Sequence, residues 1–236
     1  MLSIDLHTHS FFSACGIHTH LEILERGKQL GMEAIAITDH GPALHSRSTS
    51  PFYDRLNRPV EGIRLLKGIE CNLVNEEGDI DLPVDRLPFL DVVLLGIHPN
   101  TPKGLGRARY TEMLLRAIER NPAVDILTHL NDETYFVDFE PVVRAATERG
   151  IAIELNNSKT LLHRVADDIT RSLIETVDGI HGCLVVTSDM HAIEELGLDD
   201  SVRPFLEQQA FPAERIVSAS SKQVWRFLDE RSRLKK

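Results

Sequence analysis

The chain opens with two histidines spaced for metal binding. The segment Asp5-Leu6-His7-Thr8-His9 follows the apolar start Leu2-Ser3-Ile4. Because side chains alternate between the two faces of a strand, His7 and His9 would project from the same face. Two imidazoles that point the same way at a strand end form half of a site for a first-row metal ion. The alternative is a surface strand that carries two histidines by chance.

Seven short apolar runs are expected to be strands. Most are apolar almost throughout, which is typical of strands covered on both faces. The runs are Leu2–Leu6, Ala34–Thr38, Leu65–Ile69, Val92–Gly96, Asp125–Thr128, Ile151–Leu155 and Leu184–Ser188. Helical patterns cover residues 21–30, Tyr110–Arg120, Pro141–Arg149, Ile169–Val177 and Ser221–Arg233. Alternating strands and helices predict an α/β fold with a parallel sheet and right-handed crossovers.

The chain has no internal sign of division. Its composition does not shift and no Ser/Gly linker interrupts it, so residues 1–236 are expected to form a single domain. The least regular stretches are Gly41–Glu61 and Cys71–Asp91, and long loops of this kind often belong to an active site. The second stretch contains Glu76-Glu77-Gly78-Asp79, a turn signal within a possible hairpin.

A side chain that can bind a metal stands at the end of almost every apolar run. These side chains are His7, His9, His40, Glu70, His98, His129, Asp189 and His191. In α/β barrels the carboxyl ends of the strands meet at one face, where the functional residues lie. A single histidine after a strand is more often a hydrogen-bonded core or loop residue. Repetition at nearly every strand end predicts instead that these side chains converge on one metal centre.

The ligand types narrow the choice of metal. Imidazole mixed with carboxylate favours zinc, manganese or iron over calcium or magnesium alone. Because one ion takes about three or four protein ligands, this number of candidates indicates two or three ions. Zn²⁺ is the first expectation, with Mn²⁺ or Fe²⁺ as alternatives. Glu70 is the natural bridge, since its two oxygens can bind two different ions.

Composition limits the partners and the compartment. The formal net charge of -10 argues against a general nucleic-acid binder, which usually carries a basic patch. No run reaches the roughly 18 apolar residues of a membrane helix, and the start lacks the pattern of a secretory signal. Cys15, Cys71 and Cys183 are odd in number and widely spaced, which does not suggest disulfides. A cytoplasmic protein is expected.

Six motifs in chain order resemble those of the polymerase and histidinol phosphatase (PHP) family. They are Asp5-Leu6-His7-Thr8-His9-Ser10, Ile37-Thr38-Asp39-His40-Gly41, Gly68-Ile69-Glu70, Gly96-Ile97-His98, Leu127-Thr128-His129 and Thr187-Ser188-Asp189-Met190-His191. The stretch Ile153-Glu154-Leu155-Asn156-Asn157-Ser158 also resembles the free-standing bacterial phosphatase branch of that family. The resemblance implies a distorted (β/α)₇ barrel, a trinuclear metal centre and phosphoesterase activity.

The resemblance also implies how the ligands are shared among three ions. By position, the first ion would take His7, His9, Glu70 and Asp189. The second ion would take Glu70, His98 and His129. The third ion would take His40 and His191 as two of its ligands.

The third set departs from the family pattern at position 15. That branch usually supplies a histidine near this position, and this chain has Cys15. A cysteine thiolate is a good zinc ligand, so Cys15 is a candidate for the third ion. The alternatives are that Cys15 is a small buried residue, or that His18 or His20 takes its place.

These features predict a metal-dependent hydrolase that cleaves phosphate monoesters. Bound divalent ions can lower the pKa of water to about 7, and the resulting hydroxide would attack phosphorus. Glu70, Asp189 and His191 are the expected catalytic residues, with Asp189 or His191 moving the proton. The expected partner is a small phosphorylated substrate. The alternatives are a histidinol phosphatase, a phosphodiesterase or nuclease, and a non-catalytic metal-binding accessory domain.

Overall fold

Seven parallel strands form a nearly closed barrel in the computed structural model, which describes residues 1–47, 53, 55 and 60–235. The strands are β1 (Ile4–Asp5), β2 (Ala34–Ile37), β3 (Arg64–Asn72), β4 (Val92–Gly96), β5 (Ile126–Leu127), β6 (Ala152–Asn156) and β7 (Leu184–Thr187). They lie in chain order, and each neighbouring pair is parallel. Thr8, after β1, forms a parallel bridge with Met190, after β7, and brings the two ends of the sheet together. All seven expected strands and the distorted (β/α)₇ barrel are confirmed.

Seven α-helices are described in full. They are α1 (His20–Gln29), α2 (Arg107–Arg120), α3 (Phe139–Glu148), α4 (Asn157–Leu161), α5 (Asp167–Gly179), α6 (Arg203–Gln208) and α7 (Ser221–Ser232). Five of them match the helical patterns in the sequence. The other two, α4 and α6, have only 5 and 6 residues, which is too short for a helical period to stand out.

The barrel departs from regular alternation between β3 and β4. There Leu73 forms an antiparallel bridge with Ile80, as the predicted turn at Glu76-Glu77-Gly78-Asp79 requires, and the 3₁₀-helix Val84–Phe89 follows. The other irregular stretch, Gly41–Glu61, is described only in part, because residues 48–52, 54 and 56–59 lie outside the described residues.

Local sequence explains where α1 begins and ends. Thr19 caps the helix, because the Glu22 N–H donates to its hydroxyl while the Glu22 carboxylate accepts from the Thr19 N–H. Gly31 follows the helix with φ +73°, a left-handed conformation that glycine adopts without a steric penalty. The loop of residues 10–18, which precedes this helix, lies over the rim of the barrel.

The inward faces of the strands fill the barrel with apolar side chains below the rim. Residues from all seven strands pack there, namely Ile4, Ala34, Leu66, Leu94, Ile126, Ala152 and Val185. Because the side-chain period is two, the same faces carry Glu70 four residues after Leu66 and Glu154 two residues after Ala152. One face of each strand thus contributes to the core at its start and to the rim at its end.

The opposite end of the barrel is closed by the C-terminal residues. Val224 and Leu228 of α7 pack against the apolar lumen. Arg231 Nε donates to Oδ1 of the buried Asp125 at 3.0 Å, and Lys235 Nζ donates to its Oδ2 at 2.5 Å. This ion-pair cluster lies at the end of the barrel away from the rim.

Within the described residues, every helix is too short or too polar to traverse a lipid bilayer.

Candidate metal centre

The predicted metal-binding side chains come together at the carboxyl ends of the strands. His7 and His9 follow β1, His40 follows β2, Glu70 lies in β3, His98 follows β4, His129 follows β5, and Asp189 and His191 follow β7. The Glu70 carboxylate is buried at the middle of this group. Nitrogen atoms of five of these histidines lie within 3.3 Å of its oxygens.

The first ligand set surrounds one oxygen of Glu70. Its Oε2 is 3.3 Å from Nε2 of His7 and 3.3 Å from Nε2 of His9. Asp189 Oδ1 is 3.4 Å and 3.2 Å from the same two nitrogens, which are 3.0 Å apart. Ligands bound to one zinc ion at about 2.1 Å lie roughly 3.0 to 3.4 Å from one another. The four side chains therefore have the spacing of ligands around a common ion.

The second ligand set faces the other oxygen of Glu70. Its Oε1 is 3.1 Å from Nε2 of His98 and 3.1 Å from Nε2 of His129, and these two nitrogens are 3.2 Å apart. The Thr128 hydroxyl donates to the same oxygen at 2.9 Å. Oε1 thus faces His98 and His129, whereas Oε2 faces His7, His9 and, at 2.9 Å, His40. The two oxygens face different imidazoles, as in a carboxylate that would bridge two ions.

A third cluster includes Cys15. One ligand atom from each of His9, Cys15 and His40 lies within 4.8 Å of the other two. Cys15 is exposed in the loop after β1, so the structure does not place it as a small buried residue. His20, one of the alternatives, lies beside Asp39 instead, with its Nε2 3.5 Å from Oδ2.

His191 stands beside this cluster rather than at the centre of the site. Its ring stacks on that of His9, with 4.5 Å between the centroids. Its Nδ1 donates to the backbone oxygen of Asp189 at 2.8 Å, so Nε2 carries the free lone pair. The imidazole is half-buried, in contrast to the fully buried His7 and His9.

The donor set fits divalent transition metals. His40 Nδ1 is buried and lies 2.9 Å from Glu70 Oε2, yet the two atoms are not aligned for a hydrogen bond. A nitrogen and an oxygen that are close but do not point at each other are typical of two ligands aimed at a third atom. Imidazole nitrogen, carboxylate oxygen and thiolate together are the donors that zinc prefers.

Protonation divides the imidazoles into two kinds. Burial lowers the pKa of His98 to about 4 and also lowers that of His40, so both rings are neutral near pH 7. Burial opposes a charge on His9 as well, but its hydrogen bonds to Asp189 and Glu70 raise its pKa to about 9. Burial likewise opposes ionisation of Glu70, yet electrostatic interaction with the imidazoles of His98, His7 and His40 holds its pKa well below the usual value. Burial also opposes a charge on His7, but the charges of Glu70, Glu154 and Asp189 outweigh it and raise the pKa of His7 well above its usual value. An incoming metal therefore meets an ionised carboxylate but must displace protons from His7 and His9.

Glu154 is a functional candidate that the sequence reasoning missed. It lies in the middle of β6, is fully buried, and contacts both His7 and the backbone of His129. The sequence held a signal for it, because a carboxylate inside a strand covered on both faces needs polar partners.

Two residues near Glu154, His129 at φ +35° and Asp189 at φ +52°, have left-handed backbones, which cost about 1–3 kcal/mol and often mark functional sites.

A cavity of about 600 Å³ opens onto this group of ligands. Its outer wall includes Leu44, Pro99 and Leu162 together with the basic residues Lys159 and Arg164. Lys159 is paired with Asp132 at 3.0 Å, and Arg164 is exposed at the mouth. A second cavity of similar size, about 590 Å³, lies beside Leu2 and Phe211 on the flank of the barrel. Only the first contains the convergent histidines, so we assign the chemistry to it.

Comparison with known proteins identifies the family. The sequence profile of the PHP domain matches residues 5–162, and the chain belongs to this family. A probable phosphatase of Edwardsiella ictaluri is 35% identical over 237 residues, covering 99% of this chain and 96% of that protein. A probable phosphatase of Shewanella sp. strain ANA-3 is 34% identical over 234 residues, covering 97% and 92%.

Solved structures agree on the fold. Histidinol phosphate phosphatase of Lactococcus lactis, crystallised with zinc, L-histidinol and phosphate, has a TM-score of 0.64 at 16% identity. The alignment covers 89% of this chain and 94% of that one. A chain of an archaeal ribonuclease P complex with mature tRNA also has a TM-score of 0.64 at 16% identity, covering 98% and 92%. At 16% identity, these comparisons show a shared fold.

Proposed function

We propose that the protein is a metal-dependent phosphatase that hydrolyses small phosphate monoesters, and that residues 1–236 form one such domain. The proposal is supported by the relatives named probable phosphatase, which align over nearly the whole chain. It is also supported by the neighbouring fold that was crystallised with zinc and phosphate. The observation that carries it is the Glu70 carboxylate, whose two oxygens each face a separate set of imidazoles at 2.9–3.3 Å.

The proposed centre holds two or three ions, with zinc as the first choice and manganese or iron as alternatives. His7, His9, Glu70 and Asp189 would hold the first ion, and Glu70, His98 and His129 the second. Cys15, His40 and His191 would hold the third. Bound divalent ions supply Lewis acidity, because they lower the pKa of water to about 7 and neutralise charge on phosphoryl oxygens.

The residues of the chain would position the reacting groups. Glu70 keeps the two ligand sets adjacent, and Asp189 fixes the imidazoles of His7 and His9. With three ions bound, Nε2 of the half-buried His191 would be a ligand of the third ion. With only two ions bound, the same nitrogen would carry a proton to the leaving oxygen. Arg164 at the cavity mouth would attract the anionic substrate.

The other functions considered are less well supported. A non-catalytic metal site would be closed by its ligands, whereas this cluster opens onto a cavity of about 600 Å³. A nuclease would need a basic groove, and the chain carries a net charge of -10. Histidinol phosphate is a specific candidate within the monoester class and belongs among the test substrates.

A direct test combines metal analysis with a substrate panel. We expect two or three equivalents of metal per purified chain. We also expect hydrolysis of aryl and alkyl phosphate monoesters with zinc or manganese, loss of activity with a chelator, and recovery on adding metal back. Bis-aryl phosphate diesters should react much more slowly. A protein that binds its metal tightly but hydrolyses neither monoesters nor diesters would contradict the proposal.

A further inference from the structure

Glu154 is a buried carboxylate that lies beneath both of the main ligand sets. It is 0% exposed in β6, and its four hydrogen-bond partners come from four different parts of the rim. His7 Nδ1 lies 2.6 Å from Oε1, and the Thr187 hydroxyl donates to the same oxygen at 2.6 Å. The His129 N–H donates to Oε2 at 2.8 Å, and Asn156 Nδ2 donates to it at 3.0 Å. An isolated carboxylate in a protein interior is costly, so such a complete set of donors indicates a definite role.

One oxygen of Glu154 determines the tautomer of His7. An ionised carboxylate only accepts hydrogen bonds, so His7 Nδ1 must carry the proton at this contact. In the neutral ring Nε2 then has the free lone pair, and this nitrogen is the one that faces Glu70 and Asp189. Without the carboxylate, the ring could place its proton on Nε2, and it would no longer bind a metal there.

The other oxygen holds the backbone that presents His129. The N–H of His129 donates to Oε2, and the residue has φ +35°, an unfavourable conformation for a side chain of this size. That backbone places His129 Nε2 3.1 Å from Glu70 Oε1. Asn156 extends the same network, because its Nδ2 donates both to Glu154 and, at 3.0 Å, to Oδ2 of Asp189.

We infer that Glu154 is a positioning residue that couples the first and second metal sites. Oε1 acts on the first site through His7, and Oε2 acts on the second through His129. The inference depends on the proposed metal centre. It predicts that losing this one carboxylate, which touches neither ion, weakens both sites together, whereas losing a ligand that belongs to one site weakens that site alone.

Glu154→Gln tests this inference. The amide keeps the shape of the side chain, but it carries no charge and has one acceptor oxygen in place of two. One of His7 and His129 therefore loses its acceptor, and the other keeps only a weaker, neutral one. Removing such an outer partner of a metal ligand weakens metal binding by about 10- to 100-fold. We therefore expect the dissociation constants of both main sites for Zn²⁺ to rise by about that factor. We also expect the visible spectrum of the Co²⁺-substituted protein to change.

Two further variants separate coupling from other effects. His98→Ala removes a ligand of the second set alone, so it should weaken one site and leave the other near its wild-type affinity. Asp125→Asn alters another buried carboxylate at the far end of the barrel, and it should lower the melting temperature without changing the Co²⁺ spectrum. If Glu154→Gln does not fold, Glu154→Asp keeps the charge but shortens the side chain. The carboxylate then cannot hold its contacts of 2.6 Å to His7 Nδ1 and 2.8 Å to the His129 N–H together, so both sites should weaken by a smaller factor.

The possible results are distinct. Weakening of both sites in Glu154→Gln, or in Glu154→Asp in its place, supports the coupling. Wild-type affinities, or weakening of a single site, would overturn it. Wild-type protein that takes up no metal at all would instead refute the proposed metal centre, independently of Glu154.

Discussion

Replacing Glu70 with glutamine tests the metal centre at its middle. Glutamine keeps the size of the side chain but offers one oxygen and one NH₂, and only the oxygen can bind a metal. The Thr128 hydroxyl donates to Oε1 at 2.9 Å, which favours the amide oxygen at that position. The NH₂ would then occupy the Oε2 position, 3.3 Å from Nε2 of both His7 and His9. The first ligand set thereby loses its carboxylate and the second keeps an oxygen.

The size of the effect follows from the burial of Glu70, which is 1% exposed. Removing one partner of a buried charged pair costs about 3–5 kcal/mol. That corresponds to a dissociation constant for the first ion that is about 10²- to 10⁴-fold higher. We expect the purified variant to contain about one equivalent of metal fewer than the wild type. If both ions act on the phosphoryl group, kcat/KM should fall by about 10³-fold or more.

The assay compares metal content and monoester hydrolysis in the same preparations. Glu119→Gln is the control, because Glu119 is exposed on α2 and the substitution changes the net charge equally. The control should match the wild type in both measurements. Full metal content together with full activity in Glu70→Gln would refute the bridging role and the reasoning from its two oxygens.

Four other perturbations have defined outcomes. Cys15→Ala should contain one equivalent of metal per chain fewer than the wild type, as measured by elemental analysis, whereas Cys15→His should retain it. Equal metal content in both variants would show that position 15 holds no ion. Because the pKa of His9 is raised to about 9 and that of His7 well above its usual value, protons compete with zinc for both rings, so affinity should rise about tenfold or more per pH unit from pH 7 to 8.5. A flat profile in competition titrations would contradict this. Arg164→Ala should raise KM for anionic monoesters about three- to tenfold with kcat nearly unchanged. A change confined to kcat would contradict the role of Arg164 in attracting the substrate. Arg231→Met leaves the buried Asp125 with Lys235 as its one remaining cationic partner, so the free energy of unfolding in urea should fall by about 3–5 kcal/mol without loss of metal. A decrease below about 1 kcal/mol would show that the ion-pair cluster contributes little.

The strands were predictable because they are buried on both faces. Val92–Gly96 is apolar throughout and its bounds match β4, whereas Leu2–Leu6 forms a ladder only over Ile4–Asp5. Beyond Asp5 the two segments remain in contact, because the Thr38 N–H donates to the Thr8 carbonyl at 2.9 Å, but the pairing no longer forms a continuous ladder. Apolar runs indicate which segments cross the core, but the length of each ladder depends on contacts with a neighbour that is distant in sequence.

The candidate site was predictable where a ligand follows a strand and was missed where the polar residue lies inside one. His40 and His98 follow apolar runs, so position along the chain was enough to place them at the rim. Glu154 lies between Ile153 and Leu155, and its role depends on His7 and His129, which are 147 and 25 residues away in the chain. Its charge was visible in the sequence, but the identity of its partners required the closed barrel.

The charges of the site explain how an acidic chain could attract a phosphate ester. The overall charge is -10, and the buried carboxylates of Glu70 and Asp189 add negative charge where the substrate would bind. Two divalent ions on these carboxylates and neutral imidazoles would leave about two net positive charges at the rim, and the local field rather than the total charge acts on a bound group. The metal-free protein should therefore bind inorganic phosphate much more weakly than the metal-loaded one. Equal phosphate affinity with and without metal, measured by calorimetry, would mean that Arg164 and Lys159 provide the attraction instead.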